Sequence, residues 1–340
     1  MSRKRVLIVG FFPDPNKNPI TQAGELAKVL KQNGYEVCTV SKHRNKYLRI
    51  VDIILYMLLR ASSYDVAVVQ FYSGNSFIWQ YFAGNIAKFL GKKLVFTVHG
   101  GSVPDRIKAL PKRYLPLLKK ADVITCPSPF IISKLKEFGI DAQLVENSIP
   151  LEYYTFTSKT IIRPHIFWMR SFASIYNPAM AVRVVKELKK DFPEVKLYMG
   201  GPDQGSLEEI KILIEKEQVA ENIEILGFVD MKMKHKYSEE ADVYICTNKV
   251  DNAPVTFLEM WAMGLPIISA NVGGIPYLVK DGEDAILVPD DDHIAMAANI
   301  REVISNEALS GELIRNGRER VKRYSEQEVY NKWDKLLTIL

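Results

Sequence analysis

Long apolar runs are missing from this chain. In its most apolar basic segment the longest uncharged run is IILYMLL, seven residues, far short of the ~20 that a membrane-spanning helix needs. Cysteine is scarce: Cys38, Cys126 and Cys246 are scattered, with neither disulfide nor zinc spacing. Each stands in a strand-like run, where a thiol serves as a small buried hydrophobe, and such usage fits a reduced, cytoplasmic protein. Glycine is missing where a dinucleotide-binding loop would need it. The first strand runs into VLIVGFFPDPNKNP, with one glycine instead of Gly-x-Gly-x-x-Gly, so close backbone approach to a pyrophosphate is excluded there. There is no Walker-type loop and no low-complexity stretch. The start, MSRKRVLIVG, imitates a signal peptide, but Pro13-Asp14-Pro15 stands where small cleavage-site residues belong, so a first β-strand is expected instead.

What is present is ordinary globular composition, 47% hydrophobic and 25% charged over 340 residues, a length that suggests two domains. The net charge of +5 hides an asymmetry. Residues 1–155 hold 22 Lys/Arg against 11 Asp/Glu, and the rest 23 against 29. A basic half attracts phosphates or an anionic membrane, or is simply solvated surface; no nucleic-acid partner is expected. Apolar strand-like runs alternate with helical patterns from end to end. RVLIVG, YEVCTVS, DVAVVQF, KLVFTVHG, DVITCPS and AQLVENS fill the first half, and HIFWMR, VKLYMGG, IEILGF, ADVYICTN, PIISANV and AILVP the second. Short Val/Ile/Leu runs separated by helices predict βαβ units and parallel sheets. ADVITC and ADVYIC are near-copies 120 residues apart, which suits two similar α/β halves. Pro150, a polar Thr/Ser/Lys stretch and Pro164 interrupt the pattern. The expected domains are therefore 1–155 and 156–324. A final amphipathic helix over 325–340, capped by Ser325, would pack back on the first. Two doubly wound sheets that face each other place ligands in a cleft beyond the carboxyl ends of their strands.

One stretch there is unusual. Within DNAPVTFLEMWAMGLPIISANVGGIP, residues 251–276, the segment VTFLEMWAMG is apolar nearly all round, as only a buried helix can be. Yet it carries Glu259, and an unpartnered buried carboxylate costs several kcal/mol or neutralises itself. Asn252 or a neighbour can cap this helix, with Pro254 at its first position. The free amides of residues 254–256, hence Pro254, Val255 and Thr256, would then form an anion site. Glu259, one turn further in, could accept hydrogen bonds from sugar hydroxyls such as those of a ribose. Together these features suggest a nucleoside diphosphate, with its attached group near Asp251. PDDDH at 289–293 more simply caps a helix beginning near Ile294 than binds metal.

The stretch resembles the retaining glycosyltransferases of family four, which have the GT-B fold of two facing Rossmann-like domains with an interdomain cleft. The family's pattern is an acidic residue, seven others and a second acidic residue on a buried helix, then a Gly-Pro turn and a strand. Here it reads Asp251, seven residues, Glu259, Met263-Gly264-Leu265-Pro266 and Val272-Gly273-Gly274-Ile275-Pro276. DGEDAILVPDDD matches the next segment of the family. The resemblance implies that Glu259 binds the ribose and Asp251 the hydroxyls of the donor sugar, although the family usually has Glu at the first position, one methylene longer. Arg170, ending HIFWMR, stands where the family has a diphosphate-binding arginine. Ile175 occupies the place of the lysine five residues later, with Lys249 as a substitute candidate. His99, before Gly100 in FTVHGG, matches a histidine that faces the sugar, and Asn147-Ser148 a motif before the interdomain linker. Lys17-Asn18 replace the family's first-loop glycines.

Each residue has a plainer reading. His99 can be a satisfied structural histidine, Arg170 an ordinary ion pair, Asp251 a helix cap and Glu259 a core carboxylate paired with a neighbour. Helix amides and Arg170 would stabilise a departing diphosphate, so no metal and no other cofactor is expected. The resemblance implies same-face transfer of a sugar from a nucleotide-sugar donor to a glycan or lipid-linked acceptor. A sugar-nucleotide 2-epimerase and a non-catalytic nucleotide-sugar sensor stand as alternatives. Segments 44–60 and 106–120 set Lys and Arg around apolar residues, a pattern of helices lying on an anionic membrane; both could instead pack on the first sheet.

Overall fold

The computed structural model describes residues 3–13, 21–72 and 74–340; Lys17 and Asn18, singled out above, lie outside them. The chain divides into two compact units, Met1–Ile149 with Tyr324–Leu340, and Pro150–Arg323.

The first unit carries strands β1 (Val6–Val9), β2 (Val37–Val40), β3 (Val66–Phe71), β4 (Lys93–Val98), β5 (Val123–Cys126) and β6 (Gln143–Leu144). All pair in parallel, in the order β2-β1-β3-β4-β5-β6. β3 is buried at every position, which explains its unbroken apolar run: a parallel sheet is covered on both faces. Of the expected strand AQLVENS only Gln143 and Leu144 pair, both exposed at the sheet edge. One core holds side chains from α2 (Lys46–Leu59), α3 (Phe77–Phe89), α4 (Val103–Ala109), α5 (Pro111–Leu118) and α6 (Pro129–Lys136). α1 (Gln22–Gln32) belongs to a separate cluster with the other faces of β1, β3 and β4.

The segment 106–120 is thus a core element despite its prolines. Ile107, Tyr114, Leu117 and Leu118 are buried, and Pro111 and Pro116 are absorbed by ending α4 and by a break-tolerant short α5. Its cations stay at the surface, with Arg113 over the Phe77 ring.

The second unit repeats the alternation with β7 (His165–Met169), α7 (Pro178–Leu188), β8 (Lys196–Gly200), α8 (Leu207–Lys216), β9 (Ile223–Gly227), α9 (Met231–Glu240), β10 (Val243–Cys246), α10 (Val255–Met263), β11 (Ile267–Ala270), α11 (Ile275–Leu278), β12 (Ile286–Val288), α12 (His293–Ser305) and α13 (Glu307–Lys322). The parallel sheet runs β12-β11-β10-β7-β8-β9, the strand order of a Rossmann fold. The polar stretch before it is fastened to it. Asp242, nearly fully buried, takes Lys159 at 2.7 Å and Arg163 at 2.6 Å, and Thr157 N–H donates to the Met263 carbonyl at the end of α10.

The last helix, α14 (Glu326–Ile339), is capped by the Ser325 hydroxyl, which accepts from the Glu328 N–H. It packs in the first unit, placing Val329, Trp333, Leu336 and Leu337 against α1. The three cysteines are free, on β2, β5 and β10.

Candidate functional site

In the second sheet the strand order reverses between β10 and β7. The carboxyl ends of strands at such a reversal are the place where open α/β sheets bind ligands. Arg170 directly follows β7, and residues 247–254 connect β10 to α10. The two meet: an Arg170 terminal nitrogen donates to Asp251 Oδ2 at 2.7 Å. Asn248 Nδ2 donates to the same oxygen at 2.8 Å, and the Asn252 N–H to Oδ1 at 2.7 Å. Asp251 therefore ties down its own loop rather than capping the helix. Burial alone would lower the Arg170 pKa, but the neighbouring Tyr244 and Asp251 raise it above its ordinary value, so the guanidinium stays charged. Arg170 Nε and Asn248 Oδ1 are buried without a hydrogen-bond partner among the described residues. A donor and an acceptor left unmet each cost about 1–3 kcal/mol unless a polar ligand takes them up.

The glycine pair of the motif has a steric reason. Gly274 N–H donates to the Asp251 carbonyl at 2.7 Å. A Cβ at Gly273 would run into that carbonyl oxygen, and one at Gly274 into the carbonyl oxygen of Asn252. Gly273 also takes φ +56°, the left-handed region that favours glycine.

α10 begins one residue later than expected. Pro254 is its cap, with φ −64° and ψ 115°, and Val255 its first residue. Proline has no N–H, so the amides at this helix start that lack intrahelical acceptors are those of Val255 and Thr256; Phe257 N–H already bonds the Pro254 carbonyl. From Thr256 to Met263 every residue is buried. Glu259, 7% exposed, is partnered there by two residues that sequence reasoning missed: Lys234 Nζ, its counter-charge, at 2.5 Å and the Tyr154 hydroxyl, which donates at 3.0 Å, both on Oε1. The paired-carboxylate reading is thus met. Oε2 receives no hydrogen bond among the described residues, which leaves one oxygen for a ligand hydroxyl. Lys234 comes from the basic run MKMKHK of α9, whose charge was the one available signal; Asn248 and Tyr154 carried none.

Lys249 is exposed, and its N–H donates to the Ile175 carbonyl at 2.9 Å. The structure thus sets Lys249 beside the position where a lysine was expected and isoleucine stands.

The first unit holds its own cluster at the ends of β3 and β4. His99 Nε2 lies 2.7 Å from Gln70 Oε1 and the ring stacks on Tyr72 at 5.4 Å. Burial lowers the His99 pKa to about 4. The imidazole is neutral near pH 7, donates from Nε2 to Gln70, and presents Nδ1 as an acceptor. Gly100 follows, its carbonyl bonded to the Val103 N–H that opens α4. His99, Gln70, Asn147 and Ser148 line one recess, so the two sequence motifs of this half come together. Gln70 Nε2 is buried and unpartnered among the described residues.

Asp292 caps α12 through the Ala295 N–H, and Asp291 accepts from Asn177, so the acidic run serves local structure. Among the described residues no three His, Cys, Asp or Glu gather as metal ligands, and no helix is long and apolar enough to cross a membrane.

Two family models match: "Glycosyl transferases group 1" over residues 163–320 and "Glycosyltransferase Family 4" over 41–153. The chain is 24% identical over 255 residues to WcaL of Salmonella typhimurium, provisionally named a colanic acid biosynthesis glycosyltransferase, spanning 71% of this chain and 62% of that protein. It is 26% identical over 162 residues to a Campylobacter jejuni α-1,4-N-acetyl-D-galactosaminyltransferase named for an undecaprenol-linked glycan, spanning 47% and 44% of the two chains. The chain thus spans less than two thirds of either relative. In fold it is similar to Anabaena HepE, solved with UDP and glucose, with a TM-score of 0.78 at 13% identity over 99% and 100% of the chains.

Proposed function

The chain belongs to the group 1, family 4-like glycosyltransferases with the GT-B fold, and from that premise we propose that it transfers a sugar from a nucleotide-sugar donor to a glycan or lipid-linked acceptor with retention of configuration. The observation that carries this reading is the Arg170–Asp251–Asn248 cluster at the switch point of the second sheet, beside the start of α10. The diphosphate lies against the Val255 and Thr256 amides and Arg170 Nε, with Lys249 as the second cation. The ribose bonds Glu259 Oε2, and the donor sugar bonds Asp251 and Asn248 Oδ1. In the first unit the neutral His99 offers Nδ1 as an acceptor for a sugar hydroxyl.

Chemistry follows from charge placement. As the bond from the sugar's anomeric carbon to the phosphate oxygen breaks, negative charge grows on the diphosphate, where Arg170 and the helix amides are fixed to meet it. The acceptor oxygen forms its bond to the same face of that carbon and passes its proton to the leaving phosphate oxygen. No metal takes part in this scheme. The acceptor is membrane-proximal, and the enzyme works at the cytoplasmic face of a membrane.

A panel of nucleotide sugars screened by thermal stabilisation identifies the donor, and transfer is then assayed with that donor. Arg170→Ala is expected to lower turnover by about 10²–10³-fold, and transfer is expected to survive EDTA. Loss of transfer in EDTA with recovery in manganese would refute the metal-free scheme, and stabilisation by no nucleotide sugar would refute the donor reading.

A further inference from the structure

α2 buries Ile53 and Met57 fully, and Ile50 and Tyr56 pack on the same core. Ile54 is half-buried, and Tyr47, Leu48, Val51, Leu55, Leu58 and Leu59 are 44–78% exposed. Their spacing of three and four returns them to one outer face. α3 packs alongside α2 and exposes Ile78, Tyr81, Phe82 and Phe89 by 39–84%. At about half of the ~150–250 Å² that an aromatic side chain presents, taken as an upper figure for the aliphatic ones, these ten residues together offer on the order of 1,000 Å² or somewhat less. That exceeds the ~300–600 Å² patch of an ordinary monomer.

Charge distinguishes among the occupants of such a face. Between Lys42 and Pro104 the chain carries Lys42, Arg44, Lys46, Arg49, Arg60, Lys88, Lys92 and Lys93 against two acids, Asp52 and Asp65. Asp65 is already paired with Arg5, as Lys88 and Lys93 are with Asp122. Arg44 and Lys46 stand at one end of the α2 stripe and Arg60 at the other. A second copy docked face to face would bring these cations against their own images, a like-charge penalty. Anionic headgroups complement them, and apolar residues ringed by cations match the acyl–headgroup boundary. At fourteen residues α2 is too short to span a bilayer, and its length and patterning suit a helix lying along a membrane surface.

We propose that the outer face of α2 and α3 docks the protein on an anionic lipid membrane. The proposal deepens the reading of a membrane-proximal acceptor and rests on that reading for its purpose, though its observations are independent of the donor site. The binding surface is α2–α3 and excludes Ile107, Tyr114, Leu117 and Leu118 of segment 106–120, which are core.

Vesicle co-sedimentation of the full chain tests it, with phosphatidylcholine alone and with phosphatidylcholine containing a third phosphatidylglycerol, at low and high salt. Binding is expected on the anionic vesicles, weakened at least tenfold by high salt. Leu55→Glu/Leu59→Glu, both exposed, is expected to weaken it at least tenfold with an unchanged melting temperature, and Arg44→Glu/Lys46→Glu/Arg60→Glu to remove its salt dependence. Lys112→Glu/Arg113→Glu, on the other basic segment, serves as the comparison and is expected to weaken binding less. Calorimetric nucleotide binding on the same samples separates the two ideas: lost nucleotide binding with retained, Leu55-dependent vesicle binding would sink the donor site and support docking. Absence of binding to anionic vesicles, indifference to the Leu substitutions, or a dimer in sedimentation equilibrium that Leu55→Glu/Leu59→Glu dissolves would overturn the proposal.

Discussion

At the scale of the residue, Glu259 shows how a carboxylate is tolerated inside an apolar helix. Removing it would also strand Lys234, only 18% exposed in its side chain, so Glu259→Ala confounds binding with folding. Glu259→Gln keeps the size and a Tyr154 partner. It is expected to weaken nucleoside diphosphate binding roughly ten- to hundred-fold, the ~1.5–3 kcal/mol of a charged hydrogen bond, as calorimetry reads it. The same affinity in the folded variant would remove the ribose role. The second cation is tested by compensation. Lys249→Ala is expected to raise KM for the donor about tenfold, and Ile175→Lys in that background to restore it, because the two positions are joined by a backbone hydrogen bond. Steady-state kinetics decides, and a failed rescue would separate Lys249 from the diphosphate.

At the scale of the element, the loop after β10 is held by the glycines after β11. Gly274→Ala is expected to push the Asn252 carbonyl away and displace the Asp251 loop, lowering nucleotide affinity at least tenfold and stability by about 1–3 kcal/mol. Gly311→Ala, in α13 where a Cβ meets only the far end of the Arg315 side chain, is the comparison. It is expected to leave binding alone and to add up to about 1 kcal/mol, measured by urea unfolding. This steric coupling was invisible in the sequence as a cause, though the Gly-Gly pair was visible as a pattern. Strands such as β1, β3, β4, β10 and β11 were legible because buried parallel strands are nearly unbroken apolar runs. The edge strand β6 was overread, since AQLVENS keeps the composition of a strand without a neighbour on its far side. The start of α10 was misjudged by one residue: proline fits both the cap and the first turn, and only ψ distinguishes them. For segment 106–120 the sequence left open a membrane-surface helix or packing on the first sheet; it packs, as two short helices with Pro111 at the start of the second. Lys234 and Tyr154 lie 25 and 105 residues from Glu259, a proximity no local pattern encodes. ADVITC and ADVYIC became β5, fifth strand of one sheet, and β10, fourth of the other. Their aspartates nonetheless repeat one task, each receiving a backbone N–H and lysine or arginine partners.

For the whole molecule, the clearest pH signature comes from His99. Its folded pKa of about 4 lies below its ordinary 6.5. The unfolded chain therefore binds the proton more readily, and folding stability falls as pH drops through that window. The loss is on the order of 3 kcal/mol between pH 6.5 and 4. Urea unfolding across pH 4–7 should show this slope, and His99→Gln should flatten it; an equal slope in the variant would assign the acid sensitivity elsewhere.

The placement of α14 has a consequence for how the protein is made. The second unit is one continuous stretch, complete once Arg323 has been synthesised. The first unit is not: the apolar face of α1 and of β1 and β3 is closed by Trp333, Leu336 and Leu337, which are translated only after the whole second unit. At ~5–20 residues per second, that face waits tens of seconds on the ribosome for its cover. The half of the chain that is born first is thus the one that finishes folding last, and the interval is when it is most in need of a chaperone.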